Sequence, residues 1–337
     1  MSSSQADDDL RFGTVKLRGR AFLAPLSGVT DIGMRRAACR FGAAIVVSEM
    51  VAAEAYLAAD EETRLRAEGQ GVSPHVVQVA GCRPDTLAEA ARLAEAAGAE
   101  AIDINMGCPA KRVVGGYAGA ALMRDLALAT ALIRAVVAAV RVPVSVKMRL
   151  GWDDAARNAP ELARRAQVEG AAMVIVHGRT RAQFYKGRAD WSAIRRVRDA
   201  VRIPLVANGD CVSAADARAM LDASGADAIM VGRGALGRPW LVGAIAASLQ
   251  GAVASAVTPV ERRDAALAHY HSLLSTMGAH AGLRHARKHL AAYARVAGED
   301  GFLVKAGQGR RLVTSEDPHE VEALLATLWA EPLGIAA

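Results

Sequence analysis

The sequence predicts an α/β fold: a closed (β/α)8 TIM barrel followed by a small C-terminal all-helical domain. Three observations carry this. Eight short apolar runs alternate with alanine-rich helical stretches between Arg20 and Gln250. The runs are continuous rather than alternating, as in parallel strands covered on both faces. Glycine recurs just ahead of a strand, in "GAE", "GAA" and "GAD" (Gly98, Gly170 and Gly225), where it supplies a left-handed helix C-cap. An open doubly wound sheet is the alternative. That fold usually carries a glycine-rich fingerprint after its first strand, and "LAPLSGVTD" is not one.

The predicted strands run in order, and each ends on a polar residue or a glycine. Arg20–Leu26 leads into Pro25-Leu26-Ser27, and Ala44–Ser48 into Ser48-Glu49-Met50. His75–Ala80 carries Gln78 and is followed by Gly81-Cys82. A helix, "DTLAEAARLAEAAGAE", precedes Ala101–Asn105, which ends at Asn105 with Cys108 just beyond. A second, "DLALATALIRAVVAAVRV", precedes Pro143–Met148, which brings Lys147 and Arg149. Ala172–His177 brings His177 and Arg179, Pro204–Ala207 ends in Asn208-Gly209-Asp210, and Asp227–Val231 in Gly232-Arg233-Gly234. After "GRPWL" the pattern changes. Gly251–Val260 reads as a linker, and from Pro259 only helical periodicity remains. The expected domains are a barrel over residues 14–250 and a helical unit over 259–333.

Bulk composition narrows the function classes. The chain has 337 residues and is 52% hydrophobic, enough for a sizeable core, but only 4% aromatic, so that core is aliphatic. No apolar run approaches the roughly 20 residues needed to span a bilayer, and the polar, acidic N-terminus "MSSSQADDDLRFG" is no signal peptide. A cytoplasmic protein is expected. Four cysteines without a C-x-x-C pair argue against a structural zinc site and, more strongly, against a disulfide framework, and no metal is expected. A net charge of +6 suits a polyanionic partner without demanding one.

In such a barrel the chemistry lies at the C-terminal strand ends. Lys147, His177 or Gln78 alone is an ordinary residue, and "NGD" or "GRG" alone an ordinary loop. Eight polar ends in register make a lined pocket. "VANGD" and "MVGRG" put glycine-flanked amides after the last two strands, where such barrels bind phosphate, with Arg233 adding charge. Lys147 suits a flavin anion or a phosphate, and Gln78 and Asn208 suit a heterocycle edge. FMN fits this pattern better than a nicotinamide cofactor, which wants a Rossmann turn.

The motifs "LAPLSGVTD", "VSEM", "VQVAG", "DINMGCPAKRV", "VKMRLGW", "HGRTRAQFYKGRADW", "IPLVANGD" and "DAIMVGRGALGRPW" follow in that order. Together they resemble the tRNA-dihydrouridine synthase family. "INMGCPAK" with "RHARKHLAAYA" is most similar to its bacterial B-type branch. The resemblance spans Arg20 to about Tyr293. It implies an FMN barrel with a helical tRNA-binding domain, reducing the carbon 5–carbon 6 double bond of D-loop uridine, with NADPH reducing the flavin. It puts flavin contacts on Pro25, Leu26, Ser27, Gln78, Lys147, His177, Asn208, Gly209, Asp210, Gly232 and Arg233, and the proton donor on Cys108. The chain departs from the pattern at Val114–Tyr117, "VGGY", where a basic stretch is common, and at Leu26-Ser27, where methionine and alanine are usual. The change at Leu26 conserves volume, so flavin binding should survive it.

The chemistry explains a cysteine at a strand tip. A hydride to carbon 6 leaves electron density on carbon 5, which a general acid must protonate from the opposite face. A free thiol, with an ordinary pKa of roughly 8.5, is protonated and able to donate at neutral pH. The donor must reach over the base, so it belongs on a loop shaped by Gly107 and Pro109. Cys39 sits in a helical pattern. Cys82 and Cys211 follow strands but lack Asn105 before them and Lys111-Arg112 behind, groups suited to holding uracil or phosphate. Arg149 and Arg179 are candidates for the uracil edge, ribose or phosphate. The uridine must be extruded from the folded RNA, which needs grip on phosphates. Arg284, Arg287, Lys288 and Arg295 share a helix face for this, with Leu283, Leu290 and Tyr293 packing inward. A site open to so large a substrate predicts a monomer without a protein partner. Two rivals remain: an FMN barrel acting on a free pyrimidine, with no use for the basic helix, and an RNA-binding module without chemistry.

Overall fold

The computed structural model describes residues 10–252, 256–302, 304–305 and 307–330. Its centre is a closed barrel of eight parallel strands: β1 Ala21–Leu23, β2 Ile45–Val47, β3 His75–Ala80, β4 Ala101–Met106, β5 Val144–Arg149, β6 Met173–His177, β7 Leu205–Asn208 and β8 Ala228–Val231. Each overlaps its predicted run. Neighbours pair in chain order, and β8 pairs with β1 to close the ring. Closure leaves no strand edge exposed within the barrel.

The continuous apolar runs have two destinations. Phe22, Val76, Ala101, Met173, Ile175, Val206, Ala228 and Met230 fill the barrel interior. Val77, Val79, Ile102, Ile104, Val146, Val174, Val176 and Ile229 pack outward against the helices. Successive residues on a strand face opposite sides, so both cores draw on the strands, except that β5 gives the apolar interior core no residue. Outer helices start and stop as their end residues dictate. The Asp31 carboxylate caps the Ile32–Arg40 helix by accepting from the Met34 amide at 3.1 Å. Gly98, Gly170 and Gly225 hold φ of 96°, 94° and 66° where helices turn into the next strand.

The bottom of the barrel is stoppered. A hairpin of Arg11–Phe12 and Val15–Lys16 inserts Phe12, with nearby Leu17, into the interior core. The expected boundary at residue 14 cuts through this hairpin, because two-residue strands are too short for a periodic signal.

Beyond the barrel, helices span Pro259–Met277, Ala279–Glu299, Gln308–Thr314 and Pro318–Ala326. The Gln308–Thr314 helix is an addition to the predicted segments. The first two form a hairpin, opened by a Thr258–Glu261 capping box. Tyr270, Leu273, Leu290, Tyr293 and Trp329 make a separate core with Trp240 of the last barrel helix. The predicted linker is shorter than expected: Pro259 and Val260 already form the helix's first turn. Residues 253–255 of that linker and 331–333 at the predicted end lie outside the described residues. The hairpin lies on the barrel beside Gly33, where a Cβ would come within 2.8 Å of the His269 ring and 2.9 Å of Ser272. Among the described residues no helix is long and apolar enough to cross a membrane.

Candidate active site

The C-terminal strand ends open into a cleft of about 780 Å³, within the usual range for a small-molecule site. Gln78, Asn105, Lys147, His177 and Asn208 line it from five successive strands, β3 to β7. They are the inward-facing residues of the topmost layer, in direct register at Asn105–Lys147 and His177–Asn208. Pro25, Leu26, Ser27, Gly209, Asp210, Gly232, Arg233, Cys108 and Arg149 complete the lining among the predicted residues.

Beneath the cleft floor lies a carboxylate that the sequence analysis did not single out. Asp103 is fully buried, and accepts from Ser145 Oγ and Gln78 Nε2, both at 2.6 Å. Gln78 Oε1 accepts from Asn105 Nδ2 at 2.7 Å, and Lys147 Nζ donates to Asn208 Oδ1 at 3.1 Å. Burial raises the Asp103 carboxyl to about 6, against hydrogen bonds and the Lys147 charge. Burial pulls Lys147 down to about 8, with Asp103 resisting and Arg149 assisting. His177 is held well below the usual imidazole range by burial and then by Lys147, Arg149, Arg179 and Arg233, so it stays neutral. The signal for Asp103 was present: an acid inside an apolar strand.

Cys108 stands on a loop that is tied down through its backbone. Asn105 Oδ1 accepts from the Gly107 and Cys108 amides at 3.2 and 3.0 Å. Arg149 Nε donates to the Gly107 carbonyl at 2.8 Å, and its Nη1 to the Thr180 and Phe184 carbonyls. The chain then makes the short Lys111–Gly115 helix and returns, where Ala120 N donates to the Cys108 carbonyl at 3.0 Å. Gly119 makes that return at φ 59°, and a Cβ there would lie 2.8 Å from the Cys108 oxygen. Asn105 and Arg149, expected to hold substrate, are therefore engaged first in shaping this loop. Of the other thiols, Cys211 touches the cleft but is buried, and burial pushes it to about 12. Cys82 does not line the cleft, and Cys39 packs against the barrel core.

Arg179 stands apart from its expected place. It is buried and does not line the cleft. Its guanidinium donates to both Asp210 oxygens at 3.0 and 2.6 Å and to the Lys186 and Gly187 carbonyls. It joins the loops after β6 and β7. Burial raises Asp210, but the Arg179 hydrogen bonds, the Ala189 amide and the Arg233 charge hold it below the usual carboxylate range.

Lys111 and Arg112 are exposed beside the cleft, on the helix behind Cys108. Arg284 and Lys288 are exposed and Arg287 is half-buried, all on the Ala279–Glu299 helix outside the cleft lining. Lys288 Nζ sits 3.0 Å from where a Gly28 Cβ would be, so this helix overhangs the loop after β1. That loop is steadied by buried Glu49, which accepts from the Gly28 amide at 2.6 Å.

Phe184, Tyr185, Arg238 and Arg295 also line the cleft, where the sequence had not placed them. Phe184 and Tyr185 stand partly exposed at the mouth, an unusual place in a chain so poor in aromatics. The Arg149 and Arg233 guanidinium carbons lie 5.5 and 4.9 Å from the Tyr185 ring centre. Arg238 and Arg295 reach the opposite wall, both paired with Glu299.

Residues 22–324 match the family model described as "Dihydrouridine synthase (Dus)". The chain is 49% identical over 312 residues to a Rhizobium leguminosarum bv. phaseoli protein named "Probable tRNA-dihydrouridine synthase", covering 92% of this chain and 95% of that one. It is 44% identical to "tRNA-dihydrouridine synthase B" of Xanthomonas axonopodis pv. citri, covering 85% and 87%. Among solved structures it resembles 6-hydroxypseudooxynicotine amine oxidase from Pseudomonas geniculata N1 and histamine dehydrogenase from Rhizobium sp. 4-9. Both give a TM-score of 0.56, at 14% and 13% identity, covering 79% of this chain. The chain spans about half the length of those two proteins, 53% and 50%, and at such identity the likeness concerns the fold.

Proposed function

The chain belongs to the dihydrouridine synthase family, and on that premise we propose that it reduces uridine in the tRNA D-loop to dihydrouridine, with FMN as cofactor and NADPH as reductant. It works as a monomer, in the cytoplasm where tRNA is found. The observation that carries this is the single cleft in which Cys108 faces the polar ring of Gln78, Lys147, His177 and Asn208.

The residues present fit the flavin. After β7 the chain turns at Gly209, where a Cβ would strike the Ala189 methyl and the His177 ring at 2.8 Å, and after β8 Gly232 leaves its backbone bare, with nothing nearer than 3.9 Å to a Cβ there. Arg233 adds positive charge beside them. This is the phosphate end expected of such barrels. Pro25, Leu26 and Ser27 form the facing wall, and Lys147, His177 and Asn208 supply donors to the ring edge. When bound, FMN supplies the hydride. Lys147 offsets negative charge on the ring. Cys108 donates the proton to carbon 5, its loop held by Asn105 and Arg149. Phe184 and Tyr185 give the extruded base a stacking surface at the mouth. Lys111, Arg112, Arg284, Arg287 and Lys288 hold the surrounding phosphates, and Arg179 contributes by bracing two loops rather than by touching RNA.

The deciding experiment maps dihydrouridine position by position in tRNA from cells with and without this gene. Purified protein is then tested with NADPH and either unmodified tRNA or free uridine. Loss at D-loop positions, with turnover on tRNA alone, is the expected result. Turnover on free uridine and an unchanged map would replace it with a small-molecule flavoenzyme.

A further inference from the structure

Where the helical hairpin meets the barrel, three buried side chains from three helices converge. They are Asp31, the cap after β1, His269 of the Pro259–Met277 helix, and His289 of the Ala279–Glu299 helix. They are 4%, 1% and 2% exposed. His269 Nε2 lies 3.1 and 3.2 Å from the two Asp31 oxygens, and His289 Nε2 lies 3.2 Å from Oδ2. Each residue offers one ligand atom, and all three atoms fall within 4.8 Å of one another. His285 sits one turn before His289 on the same face, with Nε2 3.9 Å from Asp31 Oδ2.

We propose that this cluster is a divalent transition-metal site of the kind zinc occupies, with Asp31, His269 and His289 as ligands and His285 as the fourth. Imidazole and carboxylate are the donors such ions take. Neighbouring ligand atoms around a tetrahedral zinc with bonds of about 2.0–2.1 Å stand about 3.3 Å apart, close to the 3.1 and 3.2 Å that separate the His269 and His289 nitrogens from the Asp31 oxygens. His289 Nδ1 is buried without a hydrogen-bond partner, and its Nε2 meets only the shared Asp31 carboxylate, which a simple polar cluster leaves unexplained. His269 turns its other nitrogen, Nδ1, to the Tyr293 hydroxyl at 2.9 Å, the outer support that a metal-bound imidazole normally has. His285 and His289 are spaced i, i+4, as helical ligand pairs are. Lys288 Nζ lies 3.4 Å from His285 Nε2 and must yield that nitrogen to the ion. No cysteine takes part, so the cysteine spacing that argued against zinc does not bear on this site. The ion would join the β1 loop, which lines the cleft, to the hairpin with the basic face. The inference is independent of the proposed reaction.

The test uses the tag-free full chain, treated with chelator and then titrated with zinc chloride by calorimetry and with cobalt chloride by visible absorption. One equivalent should bind per chain, cobalt should develop the bands of a tetrahedral site, and zinc should raise the melting temperature. Affinity should fall as acid protonates the imidazoles. His269→Asn and His289→Asn should each weaken zinc binding about 100-fold or more, and Tyr293→Phe about 10- to 100-fold. Should the buried variants misfold, His285→Asn, at the partly exposed edge, should still alter the cobalt spectrum and weaken zinc. Absence of stoichiometric binding by the folded wild-type chain, or binding that His285→Asn leaves unchanged, would overturn the proposal.

Discussion

A proton donor needs a fixed backbone and a reaching side chain, and in the proposed donor, Cys108, the backbone is held by Asn105 and the Ala120 amide. Cys108→Ala should lower dihydrouridine formation by about 10²–10⁴-fold, the usual worth of a general acid. Reduction of the flavin by NADPH should be retained, and stopped-flow absorbance separates the two half-reactions. Lys147 gives a pH prediction. Its ammonium, drawn down by burial, loses its proton near pH 8, so its positive charge is present below that value and fades above it. Flavin affinity should weaken as pH rises through about 8, read by fluorescence titration. Asp103→Asn removes the charge that resists this shift, so the midpoint should move lower. Lys147→Arg should flatten the curve, because guanidinium stays charged.

On the scale of elements, the strands were legible because each is an apolar run punctuated by a polar residue. The positions of Gln78, Asn105, Lys147, His177 and Asn208 followed from where those runs stop. Their partners did not. That Gln78 and Asn105 hold each other, and that Asp103 lies beneath them, depends on the register of β3, β4 and β5. Register is set by barrel closure, not by any one strand. Arg179 misled for the same reason: an arginine past a strand end reads alike whether it faces the cleft or binds a neighbouring loop. Local geometry also sets the loop of Cys108. Gly119→Val places a side chain at positive φ against the Cys108 carbonyl, a strain of about 1–3 kcal/mol. Turnover on tRNA should fall about tenfold or more, following the misplacement of a reacting group. Flavin content should remain native, and a melt should show a modest loss of stability.

Across the whole molecule, charge surrounds the cleft. The Ala279–Glu299 helix carries Arg284, Arg287 and Lys288, the last of them over the β1 loop. Reversing all three to glutamate should raise the Michaelis constant for tRNA at least tenfold and flatten its salt dependence, since fewer counterions are released on binding. Flavin reduction by NADPH, measured alongside, should be unaffected. The basic face was visible in the sequence as helical spacing. Its station over the barrel was not, because docking depends on small residues such as Gly33, whose absent side chain makes room for His269 and Ser272.

The hairpin that stoppers the barrel's lower end has a kinetic corollary. With Phe12 and Leu17 closing that end, the way into the cleft among the described residues is its mouth at the C-terminal strand ends. In the proposed reaction, nicotinamide and RNA would take turns at it, each leaving before the other enters. The two substrates should therefore give parallel double-reciprocal lines, the mark of a ping-pong cycle. Intersecting lines would mean that a second way in exists.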